Sequence, residues 1–181
     1  MKKLAVVYAS RYGSSLKYAQ WIAQRAGGQL IEASRLKKGD LSQYGAIVFG
    51  GGVYAGSLNG INRLIKFKEE ICGKKLILFF VGITDTEDSG SYKKAAKESV
   101  PPAILENASL YYLRGALDYN KLSFLHKGVM RVMRGMLKKL PEEDAAGANN
   151  DFINIMECPV DYVRPESVEP IINELLGGRP A

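Results

Sequence analysis

The chain has 181 residues, 46% of them hydrophobic, with 25 lysines and arginines against 19 acidic side chains and a net charge of +6; this is the length and apolar content of one globular domain with an ample core. Cys72 and Cys158 stand far apart with no Cys-x-x-Cys spacing, and His126 is the single histidine, which excludes a disulfide framework, a zinc cluster and a histidine metal site and suits a reducing cytoplasm. No run reaches the roughly 18 to 20 apolar residues of a membrane span, and Met1-Lys2-Lys3 enters an apolar run without the pattern of a signal peptide.

Lys3 to Tyr8 reads as a first strand, followed by a loop and a helix over Ser14 to Ala26 that Gly27-Gly28 stops. Gln29 to Ala33 is a second short strand. Ala46 to Phe49 is a third, wholly apolar and therefore buried on both faces, and it runs into a glycine-rich loop at Gly50-Gly51-Gly52. Ile61, Leu64, Ile65 and Ile71 mark the next helix, Lys75 to Val81 the fourth strand, and Gly82 to Gly90 a polar loop before a helix from about Ser91. Ser109 to Leu117 is the fifth strand candidate. Pro165 opens a last helix with Val168, Ile171, Ile172, Leu175 and Leu176 on one face. Strands alternating with helices require a parallel sheet covered on both sides, so the class is doubly wound α/β. Five such units leave a surplus near residues 118 to 150, an insertion beside the fifth strand in an otherwise single domain over 1 to 181.

In open α/β sheets ligands sit beyond the carboxyl ends of the strands, which makes the loops after strands one, three and four the candidate site. The first, Ser10-Arg11-Tyr12-Gly13-Ser14-Ser15, offers three hydroxyls and a glycine at a helix N-terminus, where free N–H groups and the positive dipole end favour a phosphate. Neither Gly-x-Gly-x-x-Gly nor the P-loop spacing occurs there, and no acidic cluster follows Tyr8 to hold Mg²⁺. A serine cap and a glycine turn would explain one or two of these residues but not the set. In the second loop Gly51, Gly52, Val53, Ala55 and Gly56 surround Tyr54, a ring able to stack on a flat ligand. The third contributes Gly82, Ile83, Thr84, Asp85 and Thr86 as hydrogen-bonding groups for a heterocycle's edge.

The loop at 10 to 15 resembles the hydroxyl-rich phosphate loop of flavodoxin-like domains, with Tyr12 standing where a hydroxyl amino acid is usual. That resemblance implies a five-stranded parallel sheet of order 2-1-3-4-5 and FMN as cofactor, held by Ser10, Arg11, Tyr12, Gly13, Ser14 and Ser15 at the phosphate, by 51 to 56 over the ring and by 82 to 86 at its polar edge. Within the superfamily, Ser-Arg-x-Gly at 10 to 13, Gly-x-x-x-Tyr within 50 to 54 and Arg114-Gly115-Ala116-Leu117-Asp118-Tyr119 are similar to the branch of menaquinone-dependent protoporphyrinogen oxidases.

Residues 121 to 140 carry six basic side chains and no acid, leaving 19 against 19 elsewhere. One local basic segment on a neutral body argues against a nucleic-acid binder. On a helical wheel Leu122, Leu125, Val129, Met133, Met136, Leu137 and Leu140 face away from Lys127, Arg131, Arg134 and Lys138. This basic amphipathic helix either packs on the sheet edge with its charges in water, lies on an anionic membrane surface, or docks an acidic redox protein. The expectation is a cytoplasmic FMN-dependent electron carrier working with a redox partner or quinone, peripheral to the inner face of the membrane through 121 to 140. Two alternatives stand beside it: a quinone-linked oxidase similar to the protoporphyrinogen enzymes, and an interaction module without FMN.

Overall fold

A computed structural model describes residues 3–54, 56–83, 89–137 and 158–177. The chain divides into two compact units, Met1–Gly115 with Val163–Ala181, and Ala116–Tyr162. No helix among the described residues is long and apolar enough to cross a membrane.

The larger unit holds a parallel sheet of five strands flanked by helices. Its strands are β1 (Leu4–Ala9), β2 (Gln29–Glu32), β3 (Ala46–Tyr54), β5 (Lys75–Gly82) and β6 (Ala108–Arg114) in the order β2-β1-β3-β5-β6, with the two-residue β4 (Ser57–Leu58) paired antiparallel to the end of β3. With β4 set aside this is the order 2-1-3-4-5. Register puts Ala5, Ile47 and Leu76 level across three strands. Alternation then sends Val7, Phe49, Leu78 and Phe80 to one face, where they meet α2 (Ile61–Ile65), α3 (Lys68–Ile71) and α4 (Ser89–Ser99) through Ile61, Leu64, Ile71 and Ala96. The opposite face carries Val6, Val48, Ile77 and Phe79, all fully buried, like Tyr18, Ala19 and Ile22 of α1 (Ser14–Ala26) and Ile171 of the closing helix. A short helix α5 (Pro102–Leu105) leads into β6.

Helix α1 begins and ends where its sequence says it should. Gly27 takes a left-handed conformation, φ 68°, which glycine adopts without a Cβ penalty and which stops the helix. The last helix, which a 3₁₀ turn at Pro165–Val168 precedes, closes the unit over the edge strand. There the Glu174 carboxylate accepts hydrogen bonds from the hydroxyls of Ser109 at 2.8 Å and Tyr111 at 2.6 Å, and Lys75 Nζ lies 3.6 Å from it. Burial and this carboxylate together push the Tyr111 hydroxyl up to about 12.

Several boundaries differ from the sequence reading: the second strand ends at Glu32, the fourth helix starts at Ser89 and the last at Glu169, and three larger differences bear on the loops and the sheet. The third strand does not stop at Phe49: Gly50 and Gly51 continue the ladder between β1 and β5, Gly52 still pairs with β5, and Val53 and Tyr54 pair with β4. The expected helix over 61 to 71 is two short ones, with Lys66 and Phe67 between them. The fifth strand stops at Arg114, and Ala116–Leu117 forms instead β7, paired antiparallel with β8 (Val160–Asp161) in the smaller unit.

In the smaller unit, Asp118 caps a 3₁₀ turn at Tyr119–Lys121, accepting the Asn120 N–H at 3.0 Å, and α6 (Phe124–Leu137) follows. The expected basic helix is therefore present, but its charges do not all face water. Lys127 Nζ donates to the Asn120 carbonyl at 3.0 Å and stands 5.8 Å from the centre of the Tyr119 ring. Leu122 is buried while Leu125 and Val129 of the same apolar stripe are exposed, so that stripe is only partly packed. The side chains of Met133, Arg134, Met136 and Leu137, and all of Lys138 and Leu140, lie outside the described residues.

Candidate functional site

β1 and β3 are paired to the end of β1, at the point where the chain reverses its direction of winding, and the loop after β1 enters α1 there. Gly13 is the N-cap residue, left-handed at φ 97°, and its side-chain direction opens onto empty space with nothing within 4 Å. The Gly13 N–H donates to Ser10 Oγ at 3.1 Å, which ties the start of the loop to its turn. Helix α1 has no acidic residue in its first turn and no side-chain cap. A helix N-terminus without a carboxylate, in a loop that carries hydroxyls, has the chemistry that receives an anion. Ser14 flanks the opening, half-buried, and Ser15 is buried beneath it.

Tyr12 and Tyr54, expected in separate loops, come together: their ring centres are 6.3 Å apart at an interplanar angle of 73°, an edge contact. Tyr54 also lies back over its own strand, where a Cβ added to Gly52 would stand 2.9 Å from its ring atoms. Its hydroxyl is pushed up to about 12 chiefly by burial and next by Tyr12, with the Arg11 guanidinium pulling the other way. The phenol is accordingly a neutral hydrogen-bonding group at any physiological pH.

The glycines of β3 serve a purpose the sequence did not reveal. A Cβ on Gly50 would be 1.8 Å from Cζ of Phe79, and one on Gly51 would be 2.4 Å from the Asn59 carbonyl oxygen. Both, with Gly52, make room for the chain's own atoms. Val53 is half-buried in the β3–β4 pairing, and Gly56 turns that hairpin at φ 77°. In the third loop Gly82 ends β5 beneath the Tyr112 hydroxyl, 2.4 Å from where its Cβ would be, and Ile83 is half-buried. Ala55, Thr84, Asp85 and Thr86 lie outside the described residues.

Two groups of residues near the loop were not among the expected cofactor-binding residues. Arg114 and Gly115 end the edge strand close to α1: Tyr18 donates its hydroxyl to the Arg114 carbonyl at 2.6 Å, and a Cβ on Gly115 would sit 3.6 Å from Ser14 Oγ. On the other side of β1, a cavity of about 250 Å³ is lined by Tyr8, Ser10, Glu32, Ser34, Asn59 and Arg63 among others. Parallel pairing of Tyr8 with Glu32 puts the end of β2 beside the loop, a signal present in the sequence once the two strands are aligned. A larger cavity, about 300 Å³ and lined by Lys3, Gly28, Gln29 and Tyr44 among others, lies at the amino ends of β1 and β2, away from the loops that such sheets use for ligands.

Comparison with known proteins adds a family. A family model described as a flavodoxin domain matches residues 5–144. No curated protein sequence matches the chain. Among solved structures, a putative flavoprotein from Bacteroides uniformis ATCC 8492 is 21% identical, with 63% of this chain and 91% of that one covered at a TM-score of 0.47. A flavoprotein from Lactobacillus acidophilus NCFM, solved in complex with FMN, is 16% identical over 63% and 93% of the two chains at 0.45. A flavodoxin from the domain Archaea is 16% identical over 86% and 96% at 0.42.

Proposed function

Since the chain belongs to the flavodoxin-domain family, matched over residues 5–144, we propose that it is a flavoprotein that holds FMN and passes electrons through it. The observation that carries this reading is the loop Ser10–Ser15, with the left-handed Gly13 opening onto space at an uncapped helix N-terminus. These residues fit a phosphate: hydroxyls and N–H groups donate, and no carboxylate stands in the first turn to repel it. When bound, the flavin would supply the redox chemistry. The chain's own part is to bind and orient. Ser10 braces the turn through the Gly13 N–H, and Ser14 with the leading amides of α1 takes the anionic tail. Tyr12 and Tyr54 present an aromatic pair on one side of the crevice, its Tyr54 hydroxyl kept protonated by burial. The purified protein should carry a flavin absorption spectrum, or take up one FMN per chain with quenching of the flavin fluorescence. Colourless protein that rejects added FMN would leave the interaction module as the better account.

The finer reading, a quinone-linked oxidase similar to the protoporphyrinogen enzymes, rests on the run Arg114-Gly115-Ala116-Leu117-Asp118-Tyr119 leading into α6. Flavin-dependent oxidation of protoporphyrinogen coupled to quinone reduction supports it; electron relay between a donor and an acceptor protein with no such turnover returns the protein to the carrier class.

A further inference from the structure

Helix α6 turns an apolar face to solvent. Phe124 is 91% exposed, Leu125 71%, Val132 58% and Val129 38%. At about 100° per residue these four fall within one arc of roughly 140°, together with Gly128. Nothing approaches the side-chain direction of Gly128 within 4 Å, so the arc is open along its middle. None of these five residues has a hydrogen-bonding side chain. Arg131, exposed, stands at the border of the arc, and Lys121, its side chain 80% exposed and its Nζ 3.3 Å from Asp118 Oδ2, precedes the helix. The surrounding sequence, 121 to 140, holds six basic side chains and no acid.

We infer that α6 is an interfacial helix that seats this protein on an anionic lipid bilayer, with Phe124, Leu125, Val129 and Val132 below the headgroups and Arg131 and Lys121 among their phosphates. Two considerations select lipid over other occupants. Protein interfaces carry about one hydrogen bond per 100 to 200 Å², and this arc offers none from its side chains, whereas acyl chains ask for none. A second copy related by a twofold axis would bring like basic borders against each other. An apolar arc beside basic side chains is the composition that binds the boundary between headgroup and acyl chain, with strength set by apolar area and anionic charge. This inference stands apart from the flavin reading, because the helix and its exposure do not involve the loop at 10 to 15.

The test is sedimentation of the full-length protein with vesicles of phosphatidylcholine alone and of phosphatidylcholine with phosphatidylglycerol. Binding should appear with the anionic vesicles, weaken at least tenfold from 0.1 to 0.5 M salt, and be lost in Phe124→Ser/Leu125→Ser. Both side chains are exposed, so the double variant should unfold at the same temperature as the parent, which separates lost docking from lost folding. Equal binding to both vesicle types, binding to neither, or binding that survives the double substitution would overturn the inference. Self-association that the double variant abolishes, without vesicle binding, would assign the face to a second copy. Vesicle binding that appears only after deletion of residues 141 to 157 would assign it to the chain's own segment.

Discussion

Gly13 and the glycines of β3 stand at the carboxyl ends of neighbouring strands and look alike in the sequence, yet the space where each lacks a side chain is used in opposite ways. At Gly13 that space is open. At Gly50, Gly51 and Gly52 it is filled, respectively, by the Phe79 ring, the Asn59 carbonyl and the Tyr54 ring. A glycine-rich stretch therefore does not by itself mean a ligand: at Gly13 the missing side chain leaves open space, and along β3 the same space holds the protein's own atoms. The discriminating feature is backbone conformation. Gly13 is left-handed, while the three glycines of β3 lie inside a paired ladder.

Substitutions can break this contrast. Gly50→Ala should be the most damaging, since its methyl would overlap the ring of a fully buried phenylalanine; overpacking of this kind costs about 3 kcal/mol, read as a lower urea midpoint, and Phe79→Leu should restore part of it. Tyr54 provides the next test. Its hydroxyl sits at about 12 rather than the ordinary 10.0, so the fold favours the protonated phenol. That contribution is intact below pH 10 and is lost as pH rises through 12. Ultraviolet titration should show two late phenolates, Tyr54 and Tyr111, of which Tyr54→Phe removes one. Gly52→Ala, by displacing the ring, should return that step toward 10. Gly13→Ala meets no atom, and its cost is about 1 to 2 kcal/mol of left-handed backbone strain. FMN affinity should fall with it, whereas Gly50→Ala lowers affinity only as far as it unfolds the protein. Ser10→Ala, which removes the acceptor of the Gly13 N–H, should be mildest, weakening FMN by about 0.5 to 1.5 kcal/mol with a smaller loss of thermal stability, as isothermal titration and a melting curve would show. An effect of Ser10→Ala on stability larger than on binding would make the loop a structural turn.

Much of the architecture was legible because it follows from periodicity. Helix α1 runs over the residues that its apolar spacing and Gly27 marked, and the five parallel strands lie in the order that the flavodoxin-like resemblance implied. What escaped were features decided by distant partners. Phe79 approaches Gly50 only because β3 and β5 are neighbours in register, so a reading along the chain places the glycines in a loop. Residues 116 and 117 continue the β pattern of the fifth strand, yet they pair with residues more than forty positions later. The contact of Tyr12 with Tyr54 and the closeness of Gly115 to Ser14 likewise join separate loops. The basic helix was visible as a pattern, but its wheel could not say which side would be left bare.

The last helix, Glu169–Leu176, returns to the sheet only after the chain has left it at Gly115 and built another unit. Val168, Ile171 and Ile172 are buried there, and Glu174 and Glu169 tie to Ser109, Tyr111 and Arg25. At roughly 1.5 to 3 kcal/mol for each large apolar side chain removed from water, this docking does not depend on a continuous backbone. A protein severed by an engineered protease site between 138 and 157 should keep its two fragments together on a sizing column and release them in urea. The molecule is thus a natural candidate for reconstitution from two separately expressed fragments of unequal length.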